Sequence, residues 1–280
     1  MRTDAPPVEA GAGVSAPPRA GVISPISPML RQAEREARVW ARMWRTSLLN
    51  GAVTPLLFLG AMGLGLGGLV DDNSGGVDGL RYLVFVAPGI LAGASMQSAA
   101  SMSLWPVMAG VKWTQTFHAA AATPLRPSDV YAGYVIWAGV RLTINAVAFA
   151  IVAALLGAIP SAWGVLAVPA AVAGGLALAA PLTAFSASRE TDVTFPLIIR
   201  LGVMPMFLFS GTFFPLDQLP AGLEPLAWVT PLWHAVELSR GATTGSLELL
   251  PGLGHAAFLV GCVAVGAWWG AHVFSRRLAP

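Results

Sequence analysis

Two arginines stand inside long apolar runs of this sequence, Arg141 and Arg200. A charge in hydrocarbon is costly, so such a side chain faces the protein interior, lines a wet route for a polar group, or snorkels to the interface. Arg200 is a turn or two from the end of its run and can snorkel. Arg141 is near mid-run, with Asn145 one turn further on as a polar neighbour on the same face. Residues that could do catalysis lack the spacing for it. The four histidines, His118, His234, His255 and His272, are scattered along the chain, and none forms a His-Glu-x-x-His pair. The only lysine, Lys112, lies between Val111 and Trp113, so no Gly-Lys-Ser/Thr loop cradles a phosphate. There is no Gly-x-Ser-x-Gly elbow, and the single cysteine, Cys262, excludes an intrachain disulfide. No catalytic, cofactor-binding or metal-binding residue is expected.

What must position these residues is a set of membrane helices. The chain has 280 residues, 55% hydrophobic and 11% charged, with 31 glycines. Its mean hydropathy is +0.67, which excludes a disordered or ordinary soluble protein. Six runs reach the roughly 20 residues that cross a hydrocarbon core. They are Ser47–Leu69, Leu83–Met108, Tyr131–Leu156, Trp163–Ala187, Thr194–Phe214 and Leu253–Phe274. An all-α, six-span membrane protein is the expected fold. No cleavable signal peptide is expected, because the first apolar run begins far into the chain and is too long.

Charge sets the orientation. With the N-terminus in the cytoplasm, Arg31, Arg35, Arg38, Arg42, Arg45, Lys112, Arg126, Arg189, Arg276 and Arg277 all fall inside, and only Arg81 and Arg240 fall outside. The outer connections carry Asp71, Asp72, Asp78, Asp217, Glu224, Glu237 and Glu248. The positive-inside rule therefore puts both termini in the cytoplasm.

Residues 1–28, rich in Pro, Ala, Gly and Ser, read as a disordered tail. Residues 29–46 carry arginines at positions 31, 35, 38, 42 and 45, with Trp40 and Trp44 on another face. That is an amphipathic helix suited to an anionic leaflet. The 47–280 remainder is the spanning domain. Within it, segment 110–129 contains Lys112-Trp113, the helix-prone Phe117-His118-Ala119-Ala120, and Pro124-Leu125-Arg126. Arg189-Glu190 marks the other inner connection of interest. As plain connectors these need no function.

Segment 215–240 is neither a span nor an ordinary wet loop. Prolines at 215, 220, 225 and 231 break any helix, while Leu226, Trp228, Val229 and Leu232 keep it apolar. Such a segment reads as re-entrant, with its backbone groups buried in protein or lining a wet cavity. Short helices between the prolines and a final turn or two from His234 to Arg240 are expected, with Glu237 and Arg240 paired three apart.

Here the chain resembles a known family. Phe209-Ser210-Gly211-Thr212-Phe213-Phe214-Pro215-Leu216 and the ending Pro231-Leu232-Trp233-His234…Arg240 resemble the permease subunits of ABC-2 type exporters. Within that family the likeness is to nodulation-type lipo-oligosaccharide and antibiotic-export permeases. Thr212 stands where the family has a smaller residue. The resemblance implies a type V exporter-like fold, with 29–46 as the interface helix and 215–240 as the re-entrant motif of Pro215, Pro220, Pro231, His234, Glu237 and Arg240. It implies that Lys112, Trp113, Phe117, His118, Pro124, Arg126, Arg189 and Glu190 couple to an ABC ATPase. ATP and Mg would be bound by that separate subunit, and a second permease copy or a homologous permease would complete the assembly. Arg141, Asn145 and Arg200 would line the translocation path. The setting would be a bacterial inner (plasma) membrane and the cargo amphipathic: a lipo-oligosaccharide, a glycolipid or a hydrophobic drug, drawn from the cytoplasm or inner leaflet. A membrane-embedded enzyme acting on lipids and a stand-alone secondary carrier are the alternatives. The absence of facing carboxylates on any two runs argues against a proton-coupled carrier.

Overall fold

The computed structural model describes residues 27–42, 44–45, 53–218, 222 and 224–278. Most of the 1–28 tail, the first residues of the Ser47–Leu69 run and Pro220 lie outside them. The elements are α1 (Pro28–Trp40), α2 (Pro55–Ser74), α3 (Tyr82–Trp113), α4 (Thr116–Ala121), α5 (Pro127–Leu155), α6 (Ala162–Ser188), α7 (Phe195–Phe209), α8 (Glu224–Trp228), α9 (Pro231–Thr244) and α10 (Leu249–Arg277). Among the described residues five helices, α2, α3, α5, α6 and α10, are long and apolar enough to cross a membrane.

The sixth run departs from its sequence pattern. The Thr194–Phe214 run is helical only to Phe209, and 15 helical residues span about 22 Å. It stops because Gly211 takes a left-handed conformation, with φ of +74°, that continues no right-handed helix. Residues 210–214 go on as bent backbone beside α3. Thr212 lies so close to Gly89 that a Cβ there would meet the Thr212 carbonyl oxygen at 2.7 Å.

Helix α6 packs most extensively against α10 and α3 and is the centre of the bundle. Two glycines one turn apart on α10 permit this approach: Gly266 abuts Ala180 and Pro181, and Gly270 abuts the Tyr131 ring. The Tyr131 hydroxyl reaches the carbonyl oxygens of Gly266 at 2.9 Å and Ala180 at 3.1 Å, joining α5, α6 and α10. Proline breaks are repaired locally. Pro106 has no N–H for the Met102 carbonyl, and the Tyr134 hydroxyl donates to that oxygen at 2.5 Å instead. The kinked Leu104 carbonyl accepts from Ser186 Oγ at 2.6 Å.

Helix α1 carries its arginines as the periodicity predicts, but its other face rests on protein. Gln32 and Ala33 are buried, Gly133 of α5 lies directly beneath Gln32 and the Met29 carbonyl, and Trp40 meets the Trp137 ring edge-on at 5.8 Å. Absence of a side chain at Gly133 sets how closely α1 can lie.

Candidate functional site

At one end of the bundle, the broken segment folds as a hairpin. Helix α9 is longer than the turn or two that the prolines suggested, and runs unbroken through His234, Glu237 and Arg240 to Thr244. Its first residue is the last of those prolines, Pro231, where a missing N–H costs a helix nothing, and Thr230 caps it by accepting from Trp233 N. The Thr230 hydroxyl also bonds Ser210 at 2.9 Å, so α9 starts level with the end of α7. Ala235 and the Pro231 carbonyl crowd Gly174, about 10 Å along α6 from Ala167. At the other end of α9, the Thr243 carbonyl accepts from Ser161 N ahead of α6. Helix α9 therefore starts deep among α3, α6 and α10 and runs out towards the bundle end.

Arg240 fastens this hairpin. Its guanidinium donates to the Gly211 carbonyl at 2.5 Å, the Glu237 carboxylate at 3.1 Å and the Phe85 carbonyl at 3.4 Å. It lies 4.0 Å above the Phe85 ring centre. Arg240 is thus committed to its own chain. Pro215 follows the bent backbone, and Phe213 accepts from the Tyr82 hydroxyl at 3.2 Å. Leu226, Trp228 and Val229 of the hairpin remain exposed on the isolated chain.

At the opposite end, the basic connections converge. Glu190 accepts from Arg277 at 2.5 Å and lies 3.8 Å from the Lys112 ammonium, which also donates to the Glu190 backbone carbonyl. These two cations, Arg277 first, hold the Glu190 carboxyl below the usual carboxylate range. Asp192 accepts from Trp105 Nε1 at 3.1 Å, and Arg189 stacks over Phe185 at 4.4 Å. The α6–α7 connection is thereby tied to α3 and to the last turn of α10.

Around this knot Trp113, His118, Pro124 and Arg126 are exposed, Trp113 at 58%. Phe117 is not available with them, contrary to the sequence expectation. It is 2% exposed, packed over Gly110 and against Tyr134 and Phe274 at ring distances of 5.5 and 5.6 Å. On the short α4 the one large apolar side chain turns inward, as burial dictates, and leaves His118 outside. Lys112 and Trp113 are the end of α3 rather than part of a loop.

Residues 33–243 match the family model described as ABC-2 type transporter. The chain belongs to the ABC-2 type transporter family. This ABC-2 permease is a transport subunit rather than an enzyme, and a multi-pass membrane protein. It is similar to Nodulation protein J of Rhizobium meliloti, 28% identical over 249 residues covering 88% of this chain and 92% of the relative. The same-named protein of Rhizobium leguminosarum bv. viciae is 29% identical, covering 75% and 80% of the two chains. That of Bradyrhizobium diazoefficiens is 30% identical, covering 83% and 86%.

The permease does not gather Arg141, Asn145 and Arg200 into one site. Arg141 faces Tyr134 and Glu36, and burial pushes the Glu36 carboxyl up while Arg35 and then Arg141 pull it down. Asn145 borders a shallow open depression with Pro55, Leu91, Ser95, Ser98 and Phe149. Arg200 is exposed on α7 beside Leu197 and Leu201, where the helix widens to i+5 hydrogen bonding. Several functional partners were not legible in the sequence: Arg277 for Glu190, Asp192 for Trp105, and Gly211 with Phe85 for Arg240. Only Gly211 carried a signal, as a glycine closing an apolar run.

Proposed function

We propose that this permease is the membrane-spanning half of an ATP-driven exporter. It pairs with a second copy or a homologous permease, and with ABC ATPase subunits that bind ATP and Mg. The observation that carries this reading is the family match across residues 33–243, since transporters of this family work with an ABC ATPase. The exposed Trp113, His118, Pro124, Arg126 and Arg189, with the Lys112–Glu190–Arg277 knot behind them, supply a contact surface of the right kind. An aromatic side chain ringed by charge suits a docking hot spot. A push there would reach α3, α6 and α10 together through the knot.

In this reading the basic end is cytoplasmic, as are both termini, and the membrane is the bacterial inner membrane. The α8–α9 hairpin re-enters from outside, with Leu226, Trp228 and Val229 meeting lipid or a partner permease. Substrate is amphipathic, a lipo-oligosaccharide or glycolipid before a hydrophobic drug, and leaves the cytoplasm or inner leaflet. Its likeness to proteins named for nodulation favours the glycolipid class.

Co-expression with a cognate ABC ATPase, followed by reconstitution, tests the reading. ATP-dependent movement of a fluorescent lipo-oligosaccharide, lost with an ATPase-dead partner, is expected. Transport that persists without any ATPase, driven by an ion gradient, would overturn it in favour of a carrier.

A further inference from the structure

His234 of α9 and His255 of α10 face each other with their Nδ1 atoms 2.8 Å apart. On its other side, His234 Nε2 lies 2.9 Å from the Trp228 carbonyl oxygen at the end of α8. A carbonyl only accepts, so His234 carries its hydrogen on Nε2. A neutral imidazole has one ring N–H, which makes His234 Nδ1 the acceptor of the pair. His255 Nδ1 must then donate, leaving the His255 Nε2 lone pair free. The tautomers are fixed by the network and run in a line from α10 through α9 to α8.

We propose that His234 and His255 form a proton-binding pair that fastens the α8–α9 hairpin to the last span, tightened by one proton and opened by a second. The first proton goes to His255 Nε2. His255 is half-exposed, and its Nδ1–H still points at His234, so the bond becomes charge-assisted. The second proton can go only to His234 Nδ1. That atom is the acceptor, so the hydrogen bond is lost and two imidazolium rings confront each other.

The surroundings of the pair are aromatic. Phe258 stacks on His234 with ring centres 3.9 Å apart, and the Trp233 ring stands edge-on to both imidazoles at 4.8 and 4.9 Å. Glu237 stands one turn along α9 from His234 and is bound to Arg240. Arg240 is held away by Glu237, Gly211 and Phe85. Helix α6 carries no titratable side chain, and α3 presents the Tyr82 hydroxyl, which donates to Phe213. Glu224 is on α8, Glu248 stands just ahead of α10, and Cys262 lies two turns further along α10.

The test uses the full-length chain in lipid nanodiscs. Nitrogen NMR of labelled histidines is expected to show His234 protonated on Nε2 and His255 on Nδ1 at about pH 8. The pair is expected to take up protons in two separated steps as the pH falls to about 5. Amide exchange across residues 224–244, corrected for its intrinsic pH dependence, is expected to rise about tenfold with the second step, the size of one lost charge-assisted hydrogen bond. In His255→Gln the amide can turn to donate to or accept from His234 Nδ1, so exchange should stay slow and flat with pH. His255→Phe should exchange fast throughout. Two histidines titrating independently at one pH, or a His255→Gln chain keeping the wild-type pH response, would overturn the proposal.

Discussion

The Arg240 guanidinium donates to the carbonyl oxygen of Gly211 across 2.5 Å, joining the hairpin helix to the bent backbone that ends α7. A second donation reaches Phe85 on α3, and Glu237 neutralises the charge. One side chain thus holds three separate segments. Arg240→Met keeps the stem but removes the donors, leaving the Gly211 carbonyl short of a partner. Losing such a charged network costs about 3 kcal/mol. Thermal unfolding in detergent micelles should fall well below wild type. Arg240→Lys should recover only part of the loss, because a single ammonium cannot reproduce the fork.

Exchanging the charges, Glu237→Arg with Arg240→Glu, separates this structural role from a simple ion pair. A carboxylate at 240 would face the Gly211 and Phe85 carbonyls and the π face of Phe85, and would be repelled by all three. The double exchange should therefore be no more stable than the worse single variant. Full recovery of folded yield by the double exchange would show that the Glu237 pairing alone matters.

Phe117 and Trp113 should behave oppositely. Phe117→Asp places an unpaired carboxylate against Gly110, Tyr134 and Phe274, so a loss of folded protein is expected, on the order of several kcal/mol. Trp113→Ala removes an exposed ring and should leave thermal stability near wild type. Its affinity for the ATPase subunit, measured by pull-down from reconstituted complexes, should drop roughly tenfold or more if Trp113 is a docking anchor.

The Glu190 knot makes a pH-dependent contribution of defined sign. Arg277 and Lys112 hold its carboxyl low in the folded chain, so the contribution is complete at neutral and mildly acid pH. It is lost as the pH falls through that lowered range. Glu190→Gln should mimic the acid state at pH 7. Faster amide exchange in the last turn of α10 and little change in overall unfolding temperature are the expected readings, because the carboxylate is exposed.

Orientation is checked by labelling. In a Cys262→Ser background, a cysteine at Asn73 should react with an impermeant thiol reagent in intact cells, and one at Ala122 should not. Both positions are exposed and lie at opposite ends of the bundle. The reverse pattern would place the basic end outside.

The sequence alone determined the helical class, the acidic and basic ends, the arginine stripe of α1 and the kinship to ABC-2 permeases. These follow from run length, charge position and local motifs, because lipid demands a minimum apolar length and internally satisfied backbone wherever a chain crosses it. Tertiary structure decided the rest. Phe117 points inward because it is the one large apolar side chain of α4, a helix too short for periodicity to show which side of it faces protein. Helix α7 stops at Phe209 because Gly211 leaves the right-handed region, although hydropathy continues to Phe214. Arg240 serves Gly211 and Phe85, Glu190 holds Arg277, and His234 meets His255 across chain separations of 21 to 155 residues. Spacing along a chain cannot report those meetings. They depend on glycines such as Gly89, Gly174 and Gly266, whose missing side chains let helices approach closely enough for distant polar groups to reach one another.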